Sequence, residues 1–145
     1  MLLIFQCVIA VLVITCLVLL KGYSIKKQFG LPFYCFYLGG DIGKRSPVYL
    51  EKDCVIGAPD ALFFNPLRFG MVVCEFKSRY YKDQITKYEQ AQITLYLGMC
   101  NKWYLLKPVA VALFGNEIKV KVKYDKALFR EIFKLRNKCL NILNN

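Results

Sequence analysis

The first 20 residues carry no charge, and Gln6 and Thr15 are their only polar interruptions. That run constrains the chain more than anything after it. Twenty residues at a helical rise span roughly 30 Å, the hydrocarbon thickness of a bilayer. One transmembrane helix over residues 1–20 is therefore expected. A cleaved signal peptide is the first rival, but it wants a positive n-region and a small-residue cleavage site, and neither is present. A buried core helix is the second, although a run apolar on every face is rare in a soluble domain. Lys21, Lys26 and Lys27 follow directly, with no acid before Asp41. The positive-inside rule then makes this a single-pass protein of the cell membrane whose domain faces the cytoplasm, with these lysines in reach of anionic lipid.

All 21 Lys and Arg and all 10 acids follow Leu20, so the net charge of +11 falls on the rest of the chain. A surface that basic favours polyanions, either nucleic acid or an anionic leaflet; the plainer alternative is a solvated surface with no specific partner. Histidine is absent, which excludes Ser-His-Asp and Cys-His catalysis and His-ligated zinc. The seven cysteines are odd in number and form neither CxxC nor CxxxC. They fit no zinc ribbon or iron–sulfur framework and read as free thiols of a reducing compartment, with Cys74 in a core strand.

Residues 21–46 read as a juxtamembrane connector. It is aromatic through Phe29, Phe33, Tyr34, Phe36 and Tyr37, and broken by Gly30, Pro32, Gly39 and Gly40. The aromatics suit a membrane interface or packing on the domain equally well. Residues 43–47 form a basic, turn-like stretch with Lys44 and Arg45. Short strands are expected at 48–50, at 60–64 with a lead-in at 55–57, and at 70–76, the last being continuously apolar and so central. Thr86 and Glu89 form a capping box for a helix whose inward face carries Ile85, Tyr88, Gln92, Leu95, Tyr96 and Met99, with Gly98 and Asn101 marking its end. A strand over 109–114 turns at Gly115-Asn116, a two-residue hairpin signal, into an alternating edge strand with Lys119, Lys121 and Lys123 outward. Asp125 can cap a last amphipathic helix presenting Leu128, Ile132, Leu135, Cys139 and Ile142.

The chemistry-bearing stretch is Gly57-Ala58-Pro59-Asp60 followed by Cys74-Glu75-Phe76-Lys77. Asn65-Pro66 and Gly70 between them are turn residues, so the two apolar runs read as a β-hairpin. Glu75 and Lys77, two apart on a strand, project from one face, and Asp60 on the adjacent strand can converge with them. Two carboxylates and the backbone carbonyl of Phe76 make an oxygen-rich site suited to Mg²⁺ or Mn²⁺. Such an ion offsets charge on a phosphate and lowers the pKa of a water, while Lys77 orients that water or stabilises developing charge. Taken by itself, Glu-x-Lys is also what an ordinary surface hairpin carries.

Pro59-Asp60, then Glu75-Phe76-Lys77, then Gln92-Ile93-Thr94-Leu95-Tyr96 resembles the PD-(D/E)XK nuclease superfamily, and within it the RecB-type exonuclease branch that includes the CRISPR-adaptation nucleases. The resemblance covers residues 48–145. It implies an α/β, restriction-endonuclease-like fold: a mixed sheet flanked by helices, here preceded by the transmembrane helix. It implies that Asp60 and Glu75 bind metal, that Lys77 is catalytic, and that Gln92 and Tyr96 position the nucleic acid or the lysine; otherwise these two read as helix packing. The chain departs from the family pattern in having no His before the Asp strand, no acid on a first helix (Glu51 and Asp53 are weak substitutes) and no iron–sulfur cysteine quartet. No such cluster is expected, and the site is expected to hold one metal rather than two, or to be slow.

The expectation is thus a transmembrane helix over 1–20, a connector over 21–46 and a PD-(D/E)XK nuclease-like domain over 47–145. Its activity would be Mg²⁺- or Mn²⁺-dependent hydrolysis of DNA phosphodiesters, with RNA not excluded and Arg68, Arg79, Lys82 and Lys87 tracking the backbone. A catalytically weak or inactive, membrane-tethered nucleic-acid-binding module is the alternative. A structural membrane protein whose lysines serve the anionic leaflet is a third reading.

Overall fold

A computed structural model describes residues 1–42, 47–102 and 104–143, so the basic stretch with Lys44 and Arg45 lies outside the described residues. The elements run α1 (Leu2–Leu20), α2 (Tyr23–Phe29), β1 (Phe36–Gly39), β2 (Leu50–Lys52), β3 (Val55–Gly57), β4 (Ala61–Asn65), β5 (Gly70–Lys77), α3 (Lys87–Cys100), β6 (Leu106–Phe114), β7 (Lys119–Lys123) and α4 (Lys126–Leu143). The fold is mixed α/β, as expected, with a five-stranded sheet in the order β1-β4-β5-β6-β7 and a separate β2–β3 ribbon. β5 is the middle strand, antiparallel to β4 and parallel to β6. Its continuous apolar run is buried on both faces. A parallel neighbour needs a crossover, and α3 supplies it between β5 and β6.

Strand alternation sorts side chains into two cores. Val72 and Cys74 join Phe63, Val111 and Leu113 on one face; Val73 joins Leu62, Ala110 and Ala112 on the other. The second face is covered by Ile93, Tyr96 and Leu97 of α3 and edged by Val48 and Leu50. The first is covered by Ile25 and Phe29 of α2, with Cys35 and Tyr37 completing it. This corrects the connector. Residues 23–39 are part of the folded unit, because the β4 edge needs a pairing partner and β1 provides it at Phe36↔Phe64 and Tyr37↔Phe63. The aromatics left open by sequence are divided: Phe29 and Tyr37 are buried, whereas Phe33 is exposed.

Lys26 is the second correction. Expected within reach of anionic lipid, it is instead 1% exposed, its ammonium donating to the carbonyls of Leu19 at 2.5 Å and Phe33 at 3.0 Å. It thereby satisfies a carbonyl that the end of α1 leaves without a helical partner. Lys21 and Lys27 remain exposed. The side chains described on α1 are exposed almost throughout. Among the described residues no single helix is long and apolar enough to cross a membrane; Ile4–Leu20 and Tyr23–Phe29, bent by 47°, reach that length and composition together.

Thr86 and Glu89 form the expected capping box of α3. Its buried face differs from the expected one. Ile93, Thr94 and Leu97 are buried while Tyr88 is exposed, because the sheet, the ribbon and α4 enclose the C-terminal half of the helix from several sides. Gly98 therefore does not end the helix. It lies inside it, where a side-chain carbon would collide with the ring of Phe129. Asp125 caps α4 as expected, accepting from the N–H groups of Ala127 and Leu128 at 2.8 and 3.1 Å. Contact with the domain runs through Phe129, which meets Tyr124 edge-to-face and Phe133 at a tilt, whereas Leu135, Cys139 and Ile142 are exposed. The expected face of α4 is right in period, but its distal half extends past the surface it would cover. β7 is the expected edge strand, with its lysines outward. The β6–β7 loop uses three residues rather than two: the Phe114 N–H donates to Ile118, and Glu117 takes the left-handed conformation at φ 63°.

Candidate functional site

Asp60 immediately precedes β4, and the register Ala61↔Cys74 sets it beside Glu75 near the end of β5. Its carboxylate accepts from the Phe76 N–H at 2.6 Å, while its own N–H lies 3.5 Å from Glu75 Oε2. Glu75 and Lys77 share the face of Val73, which looks toward α3. Gln92, one turn into α3, meets them there. Lys77 Nζ donates to Gln92 Oε1 at 2.7 Å and to Glu75 Oε1 at 3.1 Å. Gln92 Nε2 donates to Glu75 Oε1 at 2.9 Å and to the Tyr96 hydroxyl at 3.2 Å. Tyr96, one turn further, donates to the Ala58 carbonyl at 3.3 Å and so returns the network to the segment between β3 and β4 that carries Asp60. Sequence places these five residues in three separate stretches; the fold brings all five together.

Gly57 is what lets Tyr96 in. A Cβ at Gly57 would sit 2.5 Å from the Tyr96 ring, so any larger residue would push the phenol out of the network. The motif shows a glycine three residues before Asp60; its reason is this close approach, which no local pattern reveals.

The electrostatics follow from burial. Glu75 is 5% exposed, and desolvation pushes its carboxyl above the ordinary range, with Asp60 adding repulsion and Lys77 opposing both. Burial also pushes the Tyr96 phenol up, so it stays a neutral hydroxyl in its hydrogen bonds. Two close carboxylates, of which only Glu75 is paired with the Lys77 ammonium, are the kind of donor set that a hard divalent cation complements. Asp60, Glu75 and the Phe76 carbonyl could therefore hold Mg²⁺ or Mn²⁺. Among the described residues no three His, Cys, Asp or Glu side chains converge into a group able to hold a metal. Glu51 and Asp53, exposed on the β2–β3 ribbon, do not complete such a group.

The four basic residues assigned to the nucleic-acid backbone are not brought to one place. Arg68 lies in the β4–β5 turn, at the far end of β5 from Lys77, roughly 20 Å along the strand. Arg79 has a fixed partner. Its Nε and Nη2 grip the two carboxylate oxygens of Glu89 at 2.7 and 2.5 Å, and its guanidinium lies over the Phe114 ring. Lys82 and Lys87 are exposed near the start of α3. Glu89 went unrecognised in sequence beyond its capping role. It also accepts from the Thr86 N–H at 2.9 Å, and the Arg79 hydrogen bonds hold its carboxyl down at about 2. No local spacing reveals the pair, since the loop over 78–86 folds back to bring Arg79 to Glu89, ten residues on.

No protein-family model matches the chain. No curated protein matches it either. Among solved structures, the crystal structure of SSO0001 is similar at 19% identity with a TM-score of 0.36, over 59% of this chain and 44% of that one.

Proposed function

We propose that the chain is a membrane-anchored, metal-dependent nuclease of the PD-(D/E)XK type that hydrolyses DNA phosphodiesters. One observation carries the reading: Asp60, Glu75, Lys77, Gln92 and Tyr96 form one hydrogen-bonded group across a hairpin and a helix. Asp60, Glu75 and the Phe76 carbonyl would hold Mg²⁺ or Mn²⁺. When bound, such an ion offsets charge on the scissile phosphate and lowers the pKa of a nearby water. Lys77 carries an ammonium on the same face of β5, where it orients the attacking water or meets the charge that develops on the phosphate. Gln92 holds that ammonium by its amide oxygen, and Tyr96 fixes Gln92. The restriction-endonuclease-like arrangement of sheet and helices belongs to this same reading.

The anchor is α1, whose described apolar side chains are exposed almost throughout. Lys21 and Lys27 beyond it favour a domain on the cytoplasmic side. Exposed Lys82 and Lys87, just before and at the start of the site helix, remain available to a DNA backbone.

The test is nuclease activity of the full chain in detergent with Mg²⁺ or Mn²⁺, on single- and double-stranded DNA and on RNA. Asp60→Ala, Glu75→Ala and Lys77→Ala should each abolish cleavage. Undiminished cleavage by all three would sink the assignment.

One observation favours the second reading, an inactive tethered nucleic-acid-binding module. Lys77 and Gln92 both already occupy Glu75 Oε1, as a purely structural polar network would. That reading predicts DNA binding that is salt-dependent, needs no metal and survives Glu75→Gln.

A further inference from the structure

The sheet face opposite the candidate site is only partly covered. α2 packs Ile25 and Phe29 onto this face against β6 and its neighbours, leaving beside it a cavity of about 630 Å³ that reaches β7. That is the size of a small-ligand site. Its floor and inner wall are apolar, built from Val72, Val109, Val111, Phe29 and Leu31. Its rim is basic. Arg68 and Lys107 stand at one end, and Lys119, Lys121 and Lys123 line the edge strand. No Asp or Glu lines it among the described residues. An apolar floor under a purely cationic rim fits an amphiphile with an anionic head.

Its position points to where such a molecule comes from. The loop after α2 forms one wall through Leu31, Pro32 and Tyr34. Within that loop the Phe33 carbonyl shares the Lys26 ammonium with Leu19, the last turn of α1. The groove wall and the end of the apolar helix are thus joined through one buried side chain. Lys119 also reaches to Gly30, where α2 ends. A DNA strand bound here would lie across the sheet from Glu75 and Lys77, out of reach of them.

We propose that this groove holds one anionic phospholipid, its headgroup on the lysine row of β7 with Arg68 and Lys107, its upper acyl chain on the valine floor. The lipid sets the domain against the bilayer by this face and leaves the face of Glu75 and Lys77 turned to the solvent. The inference rests on the membrane half of the proposed function and is independent of the nuclease half.

The test uses the full chain in detergent, titrated with phosphatidylglycerol or phosphatidylcholine and read by native mass spectrometry. One phosphatidylglycerol should bind, with a preference of about tenfold or more over phosphatidylcholine. Lys119→Gln/Lys121→Gln/Lys123→Gln should weaken it by about a hundredfold, and Arg68→Gln/Lys107→Gln by at least about tenfold, since each basic residue near an anionic headgroup contributes comparably. The second variant spares the edge strand, so it decides the matter if the first aggregates. Equal binding of the two lipids, or unchanged binding by the soluble variant, overturns the groove. Displacement of phosphatidylglycerol by a single-stranded oligonucleotide overturns it in favour of nucleic acid. Flotation with neutral phosphatidylcholine vesicles at high salt separates the two levels. A chain that fails to float overturns the membrane reading and the groove together; one that floats without preferring phosphatidylglycerol overturns the groove alone.

Discussion

Lys77 and Gln92 are fifteen residues apart and joined by a 2.7 Å hydrogen bond that ties the end of the central strand to the first turns of α3. Around this bond the site is self-supporting. The lysine is held from one side by the helix and from the other by Glu75 on its own strand. Its position therefore depends on how α3 docks, and α3 docks through its cap and its packing on the sheet.

Gln92→Leu should test that dependence. It leaves Lys77 with Glu75 alone and removes a donor from both Glu75 and Tyr96. The expected cost is about 2 kcal/mol, the penalty of leaving buried polar groups short of partners. Urea unfolding of the full chain in detergent measures it. Under the proposed function, cleavage should fall more steeply than stability, because Lys77 loses its orientation.

Metal should stabilise the protein before any catalysis is seen. If Asp60 and Glu75 hold Mg²⁺ or Mn²⁺, an ion at a hundredfold its Kd adds roughly 2.7 kcal/mol to folding. The melting temperature of the wild type should rise with Mn²⁺, and that of Asp60→Asn should not. A rise of the same size in both would place the ion elsewhere.

Gly98→Ala should be destabilising although alanine is the better helix former. The added methyl meets the Phe129 ring, which Tyr124 and Phe133 hold in place. A loss of about 2 kcal/mol is expected from overpacking at such a contact. Phe129→Leu should recover part of it, and the double-mutant cycle should show a coupling well above zero.

Glu89 gives the acid limb of stability. Its carboxyl is held at about 2 in the folded protein against 4.5 in a free chain, so it contributes stability above pH 4.5 that is lost as pH falls toward 2. Glu89→Gln should be less stable at neutral pH by an amount on the order of 2 kcal/mol. Thermal melts at pH 7, 4 and 2.5 should show the gap between variant and wild type closing in the acid range. A gap independent of pH would mean that Glu89 acts through packing, not charge.

Features that depend on nearest neighbours along the chain could be read directly. The capping box at Thr86 and Glu89, the Asp125 cap, the alternation of β7 and the apolar run of β5 each sit within a few residues of what they control. So does the pairing of Glu75 with Lys77, since strand geometry alone puts them on one face. The expected grouping of Asp60, Glu75, Lys77, Gln92 and Tyr96 rested on a motif order, and their hydrogen bonds now give that grouping a geometry.

What the tertiary structure decided were the partners of long side chains and the extent of cover. Lys26, Arg79 and Arg68 are indistinguishable in sequence from solvated cations. One turns inward to carbonyls, one grips Glu89, and one stands at the wrong end of β5 for the site. Residues 23–39 form an edge strand and a covering helix because β4 and the sheet face beside it need them. Gly57 and Gly98 acquired their reasons only when Tyr96 and Phe129 arrived from elsewhere. Periodicity and capping are local energies, and a sequence states them outright; burial of a charge or a close backbone approach depends on which distant surface arrives, and only the packed fold supplies that.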